Sequence, residues 1–315
     1  MRDTRRIIAI ALVFGLGGFA ALVYQVAWQR ILVFQSGVGI HSVALIVAVF
    51  MAGLGLGAYV GGRLSARVSA FRALLAFAGI ELLLGCFALV SSWIYYDVLY
   101  AELTVHYGAG RSALLLHFVA LLPPTTLMGM SLPLLVRATV RDPVESARTI
   151  GLLYGVNVLG AAFGALLTPW VLIRFYGIDG AIWFGALCNL LAGVAVLFLA
   201  RSGPWREPAR APSGSSAWTA RAELPGSQPF GVWVALYAVS GFCALALEIL
   251  WFRIIDVAVK STAFTFGTVL AFFLAGLAAG SLCGGRFAVR LERPLQTFLT
   301  LQCVLLGYAG FALVV

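Results

Sequence analysis

Along this chain apolar residues continue for a membrane's width at a time before charged or turn-forming residues interrupt them. Nine such runs fall near Ile7 to Phe34, His41 to Gly62, Arg72 to Tyr96, Ser112 to Val136, Thr149 to Arg174, Gly180 to Ala200, Phe230 to Ile255, Ala263 to Gly285 and Leu295 to Val315. A helix needs about 20 residues to cross the hydrocarbon core of a bilayer, and each run approaches or exceeds that length. The pattern predicts an all-α polytopic membrane bundle. The first run is too long for a secretory signal, lacks a small-residue cleavage site and has a copy downstream, so it is expected to remain as a helix.

That copy is an internal repeat. Gly18-Phe19-Ala20-Ala21-Leu22 through Trp28-Gln29-Arg30-Ile31 returns 223 positions later as Gly241-Phe242-Cys243-Ala244-Leu245 through Trp251-Phe252-Arg253-Ile254. The register holds through Gly53-Leu54-Gly55-Leu56-Gly57 against Gly276-Leu277-Ala278-Ala279-Gly280, and Gly61-Gly62-Arg63 against Gly284-Gly285-Arg286. About a third of the aligned positions are identical, more than lipid contact alone would preserve. Six runs separate the copies, an even number, so both enter the membrane in the same direction. The repeat is parallel, as between the two halves of major-facilitator carriers.

Charge sets the expected orientation. With a cytoplasmic N-terminus, the inner side collects Arg2, Arg5, Arg6, Arg63, Arg67, Arg72, Arg137, Arg141, Arg148, Arg201, Arg206, Arg210, Arg221, Arg286, Arg290 and Arg293, leaving Arg30, Arg111, Arg174, Arg253 and Lys260 outside. This asymmetry is the positive-inside pattern. It also accounts for the net charge of +9 without nucleic acid as a partner. A hydrophobic content of 62% with 10% charged residues and a mean hydropathy of +1.01 excludes a water-soluble globule. The partner is the lipid bilayer, and the expected location is the cytoplasmic membrane.

Three regions follow: a six-helix half over residues 1–200, a flexible cytoplasmic linker over 201–228, and a three-span second half over 229–315. The linker scatters Pro204, Pro208, Pro212 and Pro225 among serines, glycines and charges of both signs, a composition that buries no core. Val315 aligns with Ser92 of the first half, and the apolar Phe311-Ala312-Leu313-Val314-Val315 end is what a piece of a longer protein would show.

The residues offer little conventional chemistry. Cys86, Cys188, Cys243, Cys283 and Cys303 lie inside apolar runs without metal-ligand spacing, and read as small packing residues. His41, His106 and His117 are scattered, and no Ser/His/Asp, paired-carboxylate or Cys/His arrangement occurs. No catalytic residue, metal site or cofactor is expected. The glycine run at Gly53, Gly55 and Gly57 superficially resembles a phosphate-cradling loop, but it lies inside a membrane helix without the strand that such a loop follows. Gly53, Gly57 and Gly61 recur every fourth residue, as do Gly276, Gly280 and Gly284, so each set is expected to form a smooth face for close helix packing. Gly151 with Gly155 and Gly160 with Gly164 repeat the device.

Polar residues inside a membrane are costly and mark either a partner or a cavity. Gln25 and Gln29 stand one turn apart in the first run, Glu81 lies in the third, Asn157 in the fifth, and Glu248 replaces Gln25 in the repeat. Two readings stay open. Gln25, Glu81, Asn157 and Glu248 gather around a central polar site for a proton or cation, or they are interhelical hydrogen-bond partners, with Arg30 and Arg253 reaching outward. Pro123, Pro124 and Pro133 are expected to kink the fourth run, with Thr125, Thr126 and Ser131 bonding the freed carbonyls.

Four stretches together carry a family resemblance: Gly18-Phe19-Ala20-Ala21-Leu22-Val23-Tyr24-Gln25 with Trp28 and Arg30; Phe50 to Arg63; Leu122-Pro123-Pro124-Thr125-Thr126-Leu127-Met128-Gly129-Met130-Ser131-Leu132-Pro133-Leu134; and Leu153-Tyr154-Gly155-Val156-Asn157-Val158-Leu159-Gly160 through Leu166. In these the chain resembles the membrane part of the fused major-facilitator/spermidine-synthase proteins of bacteria. The resemblance implies a major-facilitator-like bundle joined to a Rossmann-like aminopropyltransferase domain, which takes decarboxylated S-adenosylmethionine and a polyamine acceptor. The donor loop and catalytic aspartate of such a domain cannot be located in this sequence. The expected function is therefore the membrane domain of a spermidine-synthase-like protein, supporting a polyamine-related activity alongside a soluble synthase-like domain or polyamine. A secondary transporter of small molecules, cations among them, is the alternative, and a structural remnant is a third.

Overall fold

The computed structural model describes residues 2–36, 40–102, 111–140, 146–201, 205, 229–259, 264–288 and 291–314. All of its regular structure among those residues is helical. The helices are α1 (Arg2–Ser36), α2 (Ile40–Ser65), α3 (Ala70–Trp93), α4 (Arg111–Thr139), α5 (Ser146–Leu167), α6 (Ile173–Arg201), α7 (Phe230–Ala258), α8 (Thr265–Phe287) and α9 (Pro294–Val314). A wider π-helical turn extends α3 over Ile94–Glu102, and another joins α5 to α6 over Thr168–Leu172, where Pro169 supplies no backbone N–H. The linker expected over 201–228 lies outside the described residues except for Arg201 and Trp205.

Eight stretches are long and apolar enough to cross a membrane, and one of them, Ser146–Arg201, is 56 residues long. That stretch folds back on itself. Asn157 bonds the Phe14 carbonyl and Gly164 lies against Phe19, so α5 runs parallel to α1. Val23 shares a small core with Ala181 while Ile10 shares another with Val196 and Ala200, so α6 runs antiparallel to it. The reversal centres on Gly177, whose φ of 73° and ψ of −178° lie in a region open essentially to glycine alone. Counting the stretch as two passes recovers the fifth and sixth apolar runs.

Ser69 starts α3 by accepting the Arg72 amide at 3.2 Å, which occupies one of the free N–H groups of the first turn. In α4 the helix continues through all three prolines. Thr125 Oγ1 donates toward the Leu121 and Leu122 carbonyls at 2.9 and 3.0 Å, and Thr126 Oγ1 to Leu122 at 2.7 Å. Ser131 departs from expectation, since its buried hydroxyl has no hydrogen-bond partner among the described residues.

α1 is the axis of the first half, lined by α3, α5 and α6. Phe14 meets Phe77 edge-on at 5.9 Å, and around it Ile10, Leu74, Leu134, Leu153 and Val196 form one core. Farther along α1, Tyr24, Trp28, Phe50 and Tyr95 belong to a second. The second half is attached through α8, which packs antiparallel on α5. Gly285 lies against Gly151, Leu282 against Gly155, and Trp170 donates to Thr268 Oγ1 at 3.0 Å. α7 contributes no buried residue to its most apolar stretch, and in α9 only 6% of that stretch is buried.

Candidate functional site

The polar residues inside the bundle meet where α1, α3 and α6 converge. Glu81 of α3 is 2% exposed, and its Oε2 accepts the Asn189 side-chain amide at 2.7 Å. Asn189 Oδ1 in turn accepts the Tyr24 hydroxyl at 2.9 Å. All three side chains are buried, so each bond replaces one that water would otherwise make. Gly17 makes room for the carboxylate, because a Cβ there would sit 2.9 Å from Glu81 Oε2.

An aromatic wall adjoins the triad. The Tyr24 ring stacks on Trp28 at 5.2 Å and 15°, and Trp28 meets Tyr95 and Phe87 edge-on at 5.6 and 6.0 Å. Trp28 Nε1 donates to Ser91 Oγ at 3.2 Å, and the Ser91 hydroxyl in turn donates to the Ala88 carbonyl at 2.8 Å. Tyr24 and Trp28 lie four residues apart on α1, and Glu81 and Ser91 lie on α3. The same two helices are therefore tied by two separate hydrogen-bonded sets, one through Asn189 and one direct, with the Tyr24–Trp28 stack between them.

The four residues singled out from sequence do not form a hydrogen-bonded group among the described residues. Gln25 is buried on α1 beside Tyr24 in sequence. Asn157 donates to the Phe14 carbonyl at 2.8 Å, a tie between α5 and α1. Glu248 stands half-buried on α7. Glu81 is the member that the structure places in a polar cluster, and its partners Tyr24 and Asn189 were not among the sequence candidates. The signal for Asn189 was available: an amide in an otherwise apolar run, as at Asn157. Tyr24 gave none, because tyrosine is common in membrane helices. The repeat does not reproduce the triad, since Leu247 stands at the position of Tyr24 and Val304 at that of Glu81.

The two glycine faces have different fates. A Cβ at Gly53 would collide with Thr125 Oγ1, one at Gly57 with the Thr126 carbonyl, and one at Gly61 would lie 2.8 Å from Met130 Cα. All three glycines are buried against α4. Gly276, Gly280 and Gly284 have no atom within 4 Å of such a Cβ, contrary to the packing expected of them. The physical reason is that α8 turns its other side, with Ala278, Ser281, Leu282 and Gly285, toward α5. Of the glycines in α5, Gly151 and Gly155 meet α8, whereas Gly160 and Gly164 meet α1. The described residues contain no cluster of histidine, cysteine and acidic side chains able to hold a metal ion.

No family model and no solved structure matches the chain. Over 185 residues it is 33% identical to the polyamine aminopropyltransferase of Mycobacterium tuberculosis strain H37Rv and, to the same degree, to that of Mycobacterium bovis. The match takes in 57% of this chain and 34% of each relative, so the chain spans about a third of the length of the curated relatives it matches. Any stretch of that length in this chain includes several membrane-length helices, so the similarity runs through helices of this kind.

Proposed function

We propose that this chain is the membrane domain of a polyamine aminopropyltransferase-like protein, a major-facilitator-like bundle in the bacterial cytoplasmic membrane that serves a polyamine-related activity. The observation that carries this reading is the 33% identity over 185 residues to polyamine aminopropyltransferases, in a chain whose described residues are helical and apolar enough to span a membrane. Its role is to hold that activity at the bilayer, with aminopropyl transfer belonging to a soluble domain. The test is to tag the protein in its native host, isolate it from solubilised membranes and supply decarboxylated S-adenosylmethionine and putrescine. Spermidine formation that co-purifies with the tag is the expected result. Tagged protein without that activity, in a host whose polyamine content is unchanged when the gene is deleted, would overturn the reading.

A second reading, a secondary transporter of small cations, draws support from Glu81. An acidic residue at mid-membrane costs roughly 2.5–3.5 kcal/mol on insertion scales. One interhelical hydrogen bond returns about 0.6 kcal/mol, at most about 1.7. That difference is what favours exchange of a proton or cation at this residue over a packing role alone. Glu81→Gln keeps most of the hydrogen bonding and removes the exchangeable charge. Loss of polyamine uptake into proteoliposomes by the folded variant favours transport; absence of any cation uptake by the unsubstituted chain removes this reading.

A further inference from the structure

The seam between α3 and α6 has two sides, of which one is filled. A Cβ at Gly85 would meet Leu190 and the Ala186 carbonyl, and one at Gly193 would meet Leu82 and the Ala78 carbonyl, so the two helices run antiparallel along that line of contact. Each residue of an α-helix is turned about 100° from the one before it, and antiparallel helices seen from one end turn in opposite senses. Residues that precede the contact residues therefore face one side of the seam on both helices, and residues that follow them face the other. Glu81 and Asn189, which precede Leu82 and Leu190, turn to the side where Tyr24 of α1 joins them. Gly79 and Cys86, which follow Ala78 and Gly85, turn to the other side with Leu191 and Val194, which follow Leu190 and Gly193, and all four are exposed. Among the described residues no helix covers that side, since the second half is attached through α8 to α5.

This open side is framed at both ends. Arg72 begins the exposed stripe of α3 and Trp93 ends it, while on α6 Trp183 begins the stripe and Arg201 ends it. The antiparallel register sets Arg72 level with Arg201, and Trp93 level with Trp183 to within a turn. Arginine and tryptophan stand about 30 Å apart along each helix, the thickness of the hydrocarbon core, with the indoles at one interface and the guanidiniums at the other. Two neighbouring cations repel unless an anion lies between them. Neither arginine side chain has a hydrogen bond or ion pair among the described residues, and the sequence has no acidic residue from Thr4 to Ile80 or from Gly180 to Arg206. We propose that Arg72 and Arg201 together hold the phosphodiester of one anionic glycerophospholipid, whose acyl chains lie along the open side of the α3–α6 seam. Guanidinium groups match phosphate oxygens in pairs, and basic sites between membrane helices hold anionic headgroups. Below them, nothing lies within 4 Å of a Cβ added at Gly79, which leaves a trough between Leu75 and Leu83 for a hydrocarbon chain. A soluble phosphate has the first match and not the second. The other exposed arginines at this end are placed differently: Arg63 lies over the Tyr59 ring and Arg67 stands beyond the end of α2. Lipid binding at this seam is independent of any polyamine activity.

The test is native mass spectrometry of the full chain, delipidated in detergent and titrated with phosphatidylglycerol or with phosphatidylcholine of the same acyl chains. One phosphatidylglycerol is expected to bind in preference to phosphatidylcholine. An arginine beside anionic headgroups is worth about fivefold in affinity, so Arg72→Gln combined with Arg201→Gln is expected to lower that preference about thirtyfold. Arg63→Gln combined with Arg67→Gln removes the same charge from the same end of the bundle and is expected to leave the preference unchanged. Gly79→Phe fills the trough with both arginines in place and is expected to weaken phosphatidylglycerol binding severalfold, and glycerol phosphate, the headgroup chemistry without chains, is expected not to compete. Equal losses from the two arginine pairs would overturn the proposal by reducing it to diffuse surface charge. So would a lack of preference in the unsubstituted chain, undiminished binding by Gly79→Phe, or displacement of the lipid by glycerol phosphate. If the Arg72 and Arg201 double variant gives no monodisperse protein, the single variants Arg72→Gln and Arg201→Gln decide in its place: a loss of about fivefold in each supports the proposal, and no loss in either overturns it.

Discussion

Asn189 donates its side-chain amide to Glu81 at 2.7 Å across 108 residues of chain, and thereby fixes α6 against α3 at the depth where Tyr24 of α1 joins them. Three helices are thus held in one rotational setting by two bonds. Replacing Asn189 by alanine leaves two buried partners without it, a loss of about 1–3 kcal/mol. Tyr24→Phe removes a single bond, worth about 0.6 and at most about 1.7 kcal/mol in a membrane interior. Thermal unfolding in detergent is expected to rank Asn189→Ala well below Tyr24→Phe, with the double variant less destabilised than the sum. Additive losses would show that the two bonds act independently.

Gly57 and Gly280 hold equivalent repeat positions but opposite surroundings. In the 315-residue chain Gly57→Leu is expected to force α2 from α4, with a cost of about 1–3 kcal/mol or more from overpacking. Gly280→Leu is expected to leave the unfolding temperature unchanged. Equal destabilisation by the two substitutions would contradict the arrangement of α8.

Gly177 admits no ordinary side chain at its φ of 73°. Gly177→Ala is expected to cost about 1–3 kcal/mol, the typical strain of a residue held in such a region, even though nothing lies within 4 Å of the added Cβ. Stability measurements on the variant check this, and an unchanged midpoint would show that the reversal tolerates another backbone path.

The orientation expected from the arginines places the N-terminus and the 201–228 segment in the cytoplasm. A single cysteine introduced at Ser215, in a background free of native cysteines, should resist membrane-impermeant reagents added from outside. Labelling of intact cells at that position would reverse the assignment.

The membrane runs were legible because hydropathy depends on composition over about 20 residues, and misplacing an end by a turn changes little. Relations between helices were less so. Every fourth residue being glycine declares a face flat but not whether another helix meets it, and so Gly57 and Gly280 look alike in sequence. Glu81 could be singled out by its cost in an apolar setting. Its partners depend on which sides of α1 and α6 turn toward α3, and glycines such as Gly17 and Gly185 decide that by admitting Glu81 and Tyr24. Ser131 shows the converse: a hydroxyl one helical turn from the right carbonyls still depends on local geometry to reach them.

The tight reversal at Gly177 also bears on how this polypeptide enters the bilayer. The tip between α5 and α6 exposes only a few polar side chains, Arg174, Tyr176 and Asp179 among them. Little hydrated surface has to be carried across, so the two helices are suited to partition as a hairpin. The direction of α6 is then inherited from α5 through the turn, and the charge at its own ends has less to decide.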